Sequence, residues 1–122
     1  MAFGSSDDPS RHTLPLLDNN RMALLAEALG QAKLIELCET ARQSIVESIG
    51  ELRSHWSSGD GAAVAKSAHR LAGVSANFGC IALADLAASI EKECRSGGDG
   101  KHRSAELEVL VKASLEALAR PI

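Results

Sequence analysis

The spacing of apolar residues restricts the fold of this 122-residue chain more than any other feature of its sequence. Between residues 31 and 57, apolar residues recur in alternating steps of three and four, which is the period of one face of an α-helix. The residues on this face are Ile35, Cys38, Ile45, Ile49, Leu52 and Trp56, and Arg42 is the one interruption. The pattern predicts a single long amphipathic helix over residues 31–57.

Aspartate and glycine residues indicate where the other helices begin and end. Asp18 and Asp60 are placed to accept hydrogen bonds from the first turns of two helices, and Gly30 and Gly79 can end the preceding elements. A glycine-rich loop occupies residues 96–100. The predicted helices cover about residues 19–29, 31–57, 61–78, 81–95 and 103–119.

The core must consist of aliphatic side chains, because Phe3, Trp56 and Phe78 are the only aromatic residues. This composition, without any alternating apolar pattern, favours packed helices over a sheet. We therefore predict an all-α fold, an antiparallel up-down-up-down four-helix bundle with a short additional N-terminal helix. Residues 1–13 are expected to form a flexible N-terminal lead, and residues 14–122 a single bundle domain.

Charge and composition argue against several classes of function. A formal net charge of −3 and scarce aromatic residues disfavour nucleic-acid binding. No stretch approaches the ~20 apolar residues of a membrane span, and the start of the chain does not resemble a secretory signal. We therefore expect a cytoplasmic monomer without membrane association. Cys38, Cys80 and Cys94 lie on or beside apolar stripes and are interpreted as small buried residues, so no metal site is predicted.

His69 occupies a position that favours chemistry over packing. On its predicted helix it points away from the apolar face, which is formed by Val64, Ala68, Leu71, Ser75 and Phe78. The residues one and two turns away on its own side are all small: Ala62, Ala65, Ala72, Gly73 and Ala76. We therefore expect its imidazole to face solvent in a clearing of short side chains. No role is assigned to the other histidines, His12, His55 and His102.

The segment around this histidine reads AHRLAGVSANFG over residues 68–79. It resembles the histidine-containing phosphotransfer (HPt) domains of multistep phosphorelays, whose signature is HxLKG with a further glycine ten residues after the histidine. The matching residues are His69, Leu71, Gly73 and Gly79, whereas Ala72 stands where the family usually carries lysine. The resemblance implies that His69 accepts a phosphoryl group on its outer ring nitrogen, Nε2, and donates it again.

The resemblance also implies the partners and the cofactor. Donor and acceptor would be receiver-domain aspartates of a hybrid histidine kinase and a response regulator, and Mg²⁺ would be held by the receiver, with no cofactor bound by this chain. The sequence has no nucleotide-binding motif, and Arg70 follows the histidine where sensor kinases typically carry an acidic residue. We expect a phosphoryl carrier without autonomous kinase activity, rather than a classical enzyme.

Charged residues are candidates for the surroundings of the histidine. Glu91 lies 22 residues after His69, where many family members carry Gln or Glu, and it could orient the ring through Nδ1. Arg95, Lys66 or Arg70 could then balance the phosphoryl charge that the usual lysine meets. Alternatively, Glu91 and Arg95 form an ordinary exposed ion pair. A separate alternative for Lys66 and Arg70 is a solvated basic face without a specific role.

A small apolar area beside the histidine is the predicted docking surface for a receiver, and it consists of Ala65, Ala72, Val74 and Ala76. Gly73, one turn beyond His69, would leave room for an incoming loop. Two other functions stay open. One is a helical docking module that binds a receiver or kinase domain without being phosphorylated, as the missing lysine could suggest. The other is an enzyme or metal carrier, which would need Glu or His at core positions that are here apolar.

Overall fold

The computed structural model describes residues 14–121, and all regular elements within that range are helical. The five α-helices are α1 (Asn19–Leu29), α2 (Gln31–Ser58), α3 (Gly61–Asn77), α4 (Ile81–Arg95) and α5 (Ser104–Ala119), and a 3₁₀ turn (Lys101–Arg103) precedes α5. These bounds lie within one residue of the predicted ones, and the all-α prediction is confirmed. The predicted lead over residues 1–13 lies outside the described residues.

Local hydrogen bonds explain where several helices begin and end. The side chain of Asp18 accepts a hydrogen bond from the backbone N–H of Arg21, and that of Asp60 accepts one from Ala63, each at 3.1 Å. At the end of α2, Gly59 adopts a left-handed conformation with φ of 74°, which favours glycine. The predicted caps are therefore confirmed.

The four long helices, α2 to α5, form a bundle in which each helix contacts the next and α5 contacts α2. The short helix α1 packs along α2. Its start is tied to the turn between α3 and α4, because the N–H of Asp18 donates to the carbonyl oxygen of Gly79 at 2.8 Å. The predicted bundle with an additional N-terminal helix is confirmed.

The core draws on all five helices and consists mostly of aliphatic side chains, with Trp56 as its buried aromatic residue. The largest fully buried ones include Leu34, Ile45, Ile49, Leu52, Leu71, Leu83, Ile90, Leu107 and Leu118. Among the helices within residues 14–121, none has both the length and the apolar composition that crossing a bilayer requires.

The buried face of α2 differs from the predicted one at its N-terminal end. Ile35 is 52% exposed, and Leu34 is buried in its place. Ala41 rather than Arg42 continues the stripe, so there is no interruption, and Arg42 lies at the edge with Nε donating to the Leu115 carbonyl oxygen at 3.2 Å. Leu34 and Ile35 are both apolar and of equal size, so the sequence pattern does not distinguish them. The neighbouring helices determine which of these two adjacent positions faces the core.

The turn between α3 and α4 places the two helices side by side. Gly79 has φ of 75°, and the N–H of Cys80 donates to the Ser75 carbonyl oxygen at 2.8 Å. A Cβ atom on Gly79 would also lie 3.4 Å from the Cβ of Asp18. This tight reversal sends α4 back along α3, with which it makes the most extensive helix contact in the described structure.

Candidate functional site

Helix α3 presents an apolar face to the bundle and a histidine to solvent. Val64, Ala68 and Leu71 are no more than 1% exposed, whereas the side chain of His69 is 73% exposed. The predicted exposure of His69 is therefore confirmed. The cause is the helical period, which places the histidine opposite the buried stripe.

The carboxylate of Glu91, on α4, lies beside the inner ring nitrogen of His69. Its Oε1 and Oε2 atoms are 3.0 and 3.1 Å from Nδ1. A carboxylate has no proton to donate, so Nδ1 carries the hydrogen and donates it. The neutral ring then has its lone pair on the outer nitrogen, Nε2, which makes no hydrogen bond within residues 14–121.

Arg95 holds the same carboxylate from one helical turn further along α4. Its Nε donates to Oε2 of Glu91 at 2.8 Å. The hydrogen bond from Arg95, together with that from His69, lowers the pKa of the Glu91 carboxyl below its usual value, although partial burial acts in the opposite direction. Glu91 is thus a carboxylate at neutral pH, and its side chain is only 18% exposed. An ordinary exposed ion pair does not describe this arrangement, because the carboxylate also binds the histidine.

Arg70 is directed toward α2 rather than toward α4. Its guanidinium lies 2.8 and 2.9 Å from the carboxylate oxygens of Glu51, and 3.8 Å from Glu47. The positive charge of Arg70 is therefore already close to the carboxylates of Glu51 and Glu47. Lys66 is exposed and lines the same α2-side depression as Glu51. The two glutamates have no signal in the sequence, because only the packing of α2 against α3 brings them to Arg70.

One of the four residues predicted for the docking surface is buried. Ala65 is 4% exposed, so its assignment to that surface is wrong, because a buried side chain has almost no area to offer a partner. Ala72 and Val74 are half-buried and pack against the core, and Ala76 is exposed. The apolar area beside the ring is therefore smaller on α3 than the sequence predicts.

Small residues also lie on the face of α4 that carries Glu91. Ala84 and Ala88 follow the same stripe as Glu91 and Arg95, at steps of four, three and four; Ala84 is half-buried and Ala88 is exposed. Their spacing from Glu91 is the sequence signal that identifies them. On α3, Gly73 is exposed, and a Cβ atom there would meet nothing within 4 Å. The ring thus stands above a low surface built by both helices.

The cysteines are free thiols. Cys38 and Cys80 are buried, as predicted, and Cys94 is partly buried. Burial, with a smaller contribution from Cys38, raises the pKa of the Cys80 thiol to about 11. Within residues 14–121, no three His, Cys, Asp or Glu side chains are grouped so that they could hold a metal ion.

A helical bundle that presents a histidine to solvent, with a carboxylate on Nδ1, has the architecture of a phosphotransfer domain. The family model described as Hpt domain matches residues 36–121, well over half of the chain. The chain therefore belongs to the Hpt domain family and has a histidine phosphotransfer role in phosphorelay.

A solved structure supports the fold. Histidine-containing phosphotransfer protein B (HptB) from Pseudomonas aeruginosa PAO1 is similar over 88% of this chain and 90% of its own, with a TM-score of 0.69 and 24% sequence identity. At this identity the similarity shows a shared fold. No curated protein matches the chain significantly.

Proposed function

We propose that His69 is the phosphorylated residue and that its Nε2 relays the phosphoryl group between aspartates of receiver domains. The donor would belong to a hybrid histidine kinase and the acceptor to a response regulator, in the cytoplasm. The contacts between the Glu91 carboxylate and Nδ1, at 3.0 and 3.1 Å, support the proposal most strongly. A proton held on Nδ1 by this carboxylate would leave the lone pair on Nε2, the nitrogen that an incoming receiver could reach.

The chemistry requires little from this chain besides the positioned ring. The Nε2 lone pair attacks phosphorus, and the O–P bond of the aspartyl phosphate breaks, with its electron pair remaining on the aspartate. Positioning and charge neutralisation limit such transfers. Mg²⁺ on the receiver would supply most of the neutralisation, and this chain would act as a monomeric carrier without a cofactor of its own.

Positive charge near the phosphoryl group would come from both sides of the ring in place of the usual lysine at Ala72. Arg95 approaches from α4, where it binds the carboxylate that holds His69. Lys66, exposed on α3 three residues before the histidine, flanks it on the α2 side. Arg70 would contribute less, because Glu51 binds its guanidinium.

The receiver would dock on the low surface beside the ring. On α3, this surface consists of Gly73, Ala76 and the exposed edges of Ala72 and Val74. Ala88 continues it on α4. Short side chains suit this role, since an aspartyl phosphate in a receiver loop must come within bonding distance of Nε2.

Replacement of His69 tests the assignment. The purified chain is incubated with Mg²⁺ and a receiver domain that has been phosphorylated with labelled acetyl phosphate. The measured quantity is the acid-labile phosphate label transferred to the chain. We expect His69→Gln to lose all label while remaining folded, because the ring is largely exposed and outside the core. His102→Gln, which removes another exposed histidine, should be labelled like the wild type.

Label that persists in His69→Gln would refute the assignment. If neither the wild type nor the variant is labelled but the chain binds the receiver, the result favours the non-phosphorylated docking module.

A further inference from the structure

The acceptor on Nδ1 of His69 is a charged carboxylate, which affects more than the orientation of the ring. Both Glu91 oxygens lie within hydrogen-bond distance of Nδ1, at 3.0 and 3.1 Å. A glutamine amide could accept the same hydrogen bond without a full negative charge. The two acceptors differ once the ring becomes a cation, because a carboxylate stabilises a neighbouring positive charge more strongly.

We propose that Glu91 keeps the proton on Nδ1 throughout the transfer cycle, so that phosphorylated His69 is an imidazolium. The proposal rests on the proposed function of His69. In the accepting step, Nε2 forms the N–P bond, the aspartate retains the electrons of the broken O–P bond, and the ring becomes positively charged. In the donating step the N–P bond breaks, its electron pair returns to Nε2, and the neutral Nδ1–H ring remains. No proton enters or leaves the ring in either direction.

The proton on Nδ1 determines how easily the phosphoryl group leaves. If the phosphorylated ring lost this proton, the leaving group would be an imidazolate anion, which is a stronger base and a poorer leaving group than neutral imidazole. A ring that stays protonated transfers its phosphoryl group readily to a receiver, and also to water. Glu91 thus suits a protein through which phosphoryl groups pass quickly, rather than one that stores them.

The other charged groups near the ring support this role of Glu91 or are bound elsewhere. Arg95 donates to Oε2 of Glu91 at 2.8 Å, which favours the ionised carboxylate. The α2 carboxylates interact with the guanidinium of Arg70. Glu91 is therefore the anion in contact with the ring among residues 14–121. The charged side chains on α2, α3 and α4 around the site, besides Glu91, are Glu47, Glu51, Lys66, Arg70, Lys92 and Arg95.

The test follows Nδ1 in the phosphorylated protein. The full chain, labelled with ¹⁵N-histidine, is phosphorylated with phosphoramidate, a small-molecule donor that requires no receiver, and ¹⁵N NMR follows loss of the Nδ1 proton as the pH is raised. We expect the midpoint in Glu91→Gln to lie about 1 to 2 pH units below that of the wild type. Glu36→Gln, which removes an exposed carboxylate of α2, should match the wild type.

Transfer rates to a receiver provide a second measurement. At pH values above the midpoint for loss of its Nδ1 proton, the Glu91→Gln variant should lose transfer rate about tenfold for each pH unit. The transfer rate of the wild type should stay constant over the same pH interval. A ring that is merely misoriented would instead be slow by the same factor at every pH. Glu91→Asp retains the charge and should lie nearer the wild type than Glu91→Gln does.

The outcomes separate this inference from the proposed function. Equal midpoints for loss of the Nδ1 proton in the wild type and in Glu91→Gln would overturn the inference and leave His69 as the carrier. A midpoint in Glu91→Asp below that in Glu91→Gln would have the same consequence. If no phosphorylated His69 forms with phosphoramidate or with a charged receiver, the proposed function itself fails.

Discussion

Gly73 is a glycine that the fold itself does not require. It lies inside α3, where glycine is less favourable than alanine by about 1 kcal/mol. Its φ is not positive, and a Cβ atom would meet nothing within 4 Å, so neither backbone conformation nor packing requires glycine. The space above it, one turn from His69, is open to a receiver loop.

We expect Gly73→Ala to raise the free energy of unfolding by about 0.5 to 1 kcal/mol and to slow phosphotransfer from a receiver by about 10- to 100-fold. Chemical denaturation and label transfer measure the two effects. Gly50→Ala is the matched control, because Gly50 lies inside α2 and its Cβ would also meet nothing within 4 Å. Gly50→Ala should stabilise the fold by the same amount and leave the rate of phosphotransfer unchanged. If Gly73→Ala transferred at the wild-type rate, the open space above Gly73 would not be needed by a receiver.

Among the connections between elements, the one from α4 to α5 depends on a buried glycine. Gly100 has φ of 66°, and a Cβ atom there would lie 3.0 Å from Cγ2 of Ile90. The preceding residue, Asp99, accepts a hydrogen bond through its carbonyl oxygen from Nε1 of Trp56 at 2.7 Å. The loop is thereby attached to both α2 and α4, and the start of α5 is set by these contacts.

Gly100→Ala should lower the free energy of unfolding by about 1 to 3 kcal/mol, because it combines a left-handed conformation with a close contact to Ile90. Thermal or chemical denaturation measures the loss. Gly97→Ala separates the two causes, since Gly97 also has a positive φ, 102°, but its Cβ would meet nothing within 4 Å. We expect a smaller loss there, and equal losses would rule out the contact with Ile90 as a cause.

At the scale of the whole molecule, ion pairs join helices that are distant in sequence. Arg53 on α2 donates through Nε to Oε2 of Glu108 on α5 at 2.7 Å. The hydrogen bond from Arg53 lowers the pKa of the Glu108 carboxyl. Both side chains are about half exposed, at 52% and 45%, so solvent and salt weaken the attraction.

Because the folded state lowers the pKa of Glu108, the stability from this pair is present above the usual carboxyl pKa near 4.5 and is lost as the pH falls through the folded-state value. We expect Glu108→Gln to lower the free energy of unfolding by no more than about 1 kcal/mol at neutral pH. The difference from the wild type should shrink in acid and in high salt. Glu106→Gln, an exposed change on the same helix, is the control; a Glu108→Gln difference that persists in acid would contradict the ion-pair explanation.

The sequence by itself determined the helices and the exposure of His69. Helix ends depend on caps a few residues away, such as Asp18 and Asp60, and a buried face follows from the helical period. Both follow mainly from local properties, although at the start of α2 the helical period did not distinguish Leu34 from Ile35. The position of Glu91 beside His69 was different, since it followed only from the family resemblance.

Only the tertiary structure decided which side chains from separate helices meet. It placed Arg70 against Glu51, buried Ala65, and selected Leu34 over Ile35 for the core. Such contacts depend on the distance and register between helices, and these are set by side-chain packing across the whole bundle and by reversals such as the one at Gly79. Helical periodicity specifies the direction of a side chain from its own axis, but not the residue of another helix that it reaches.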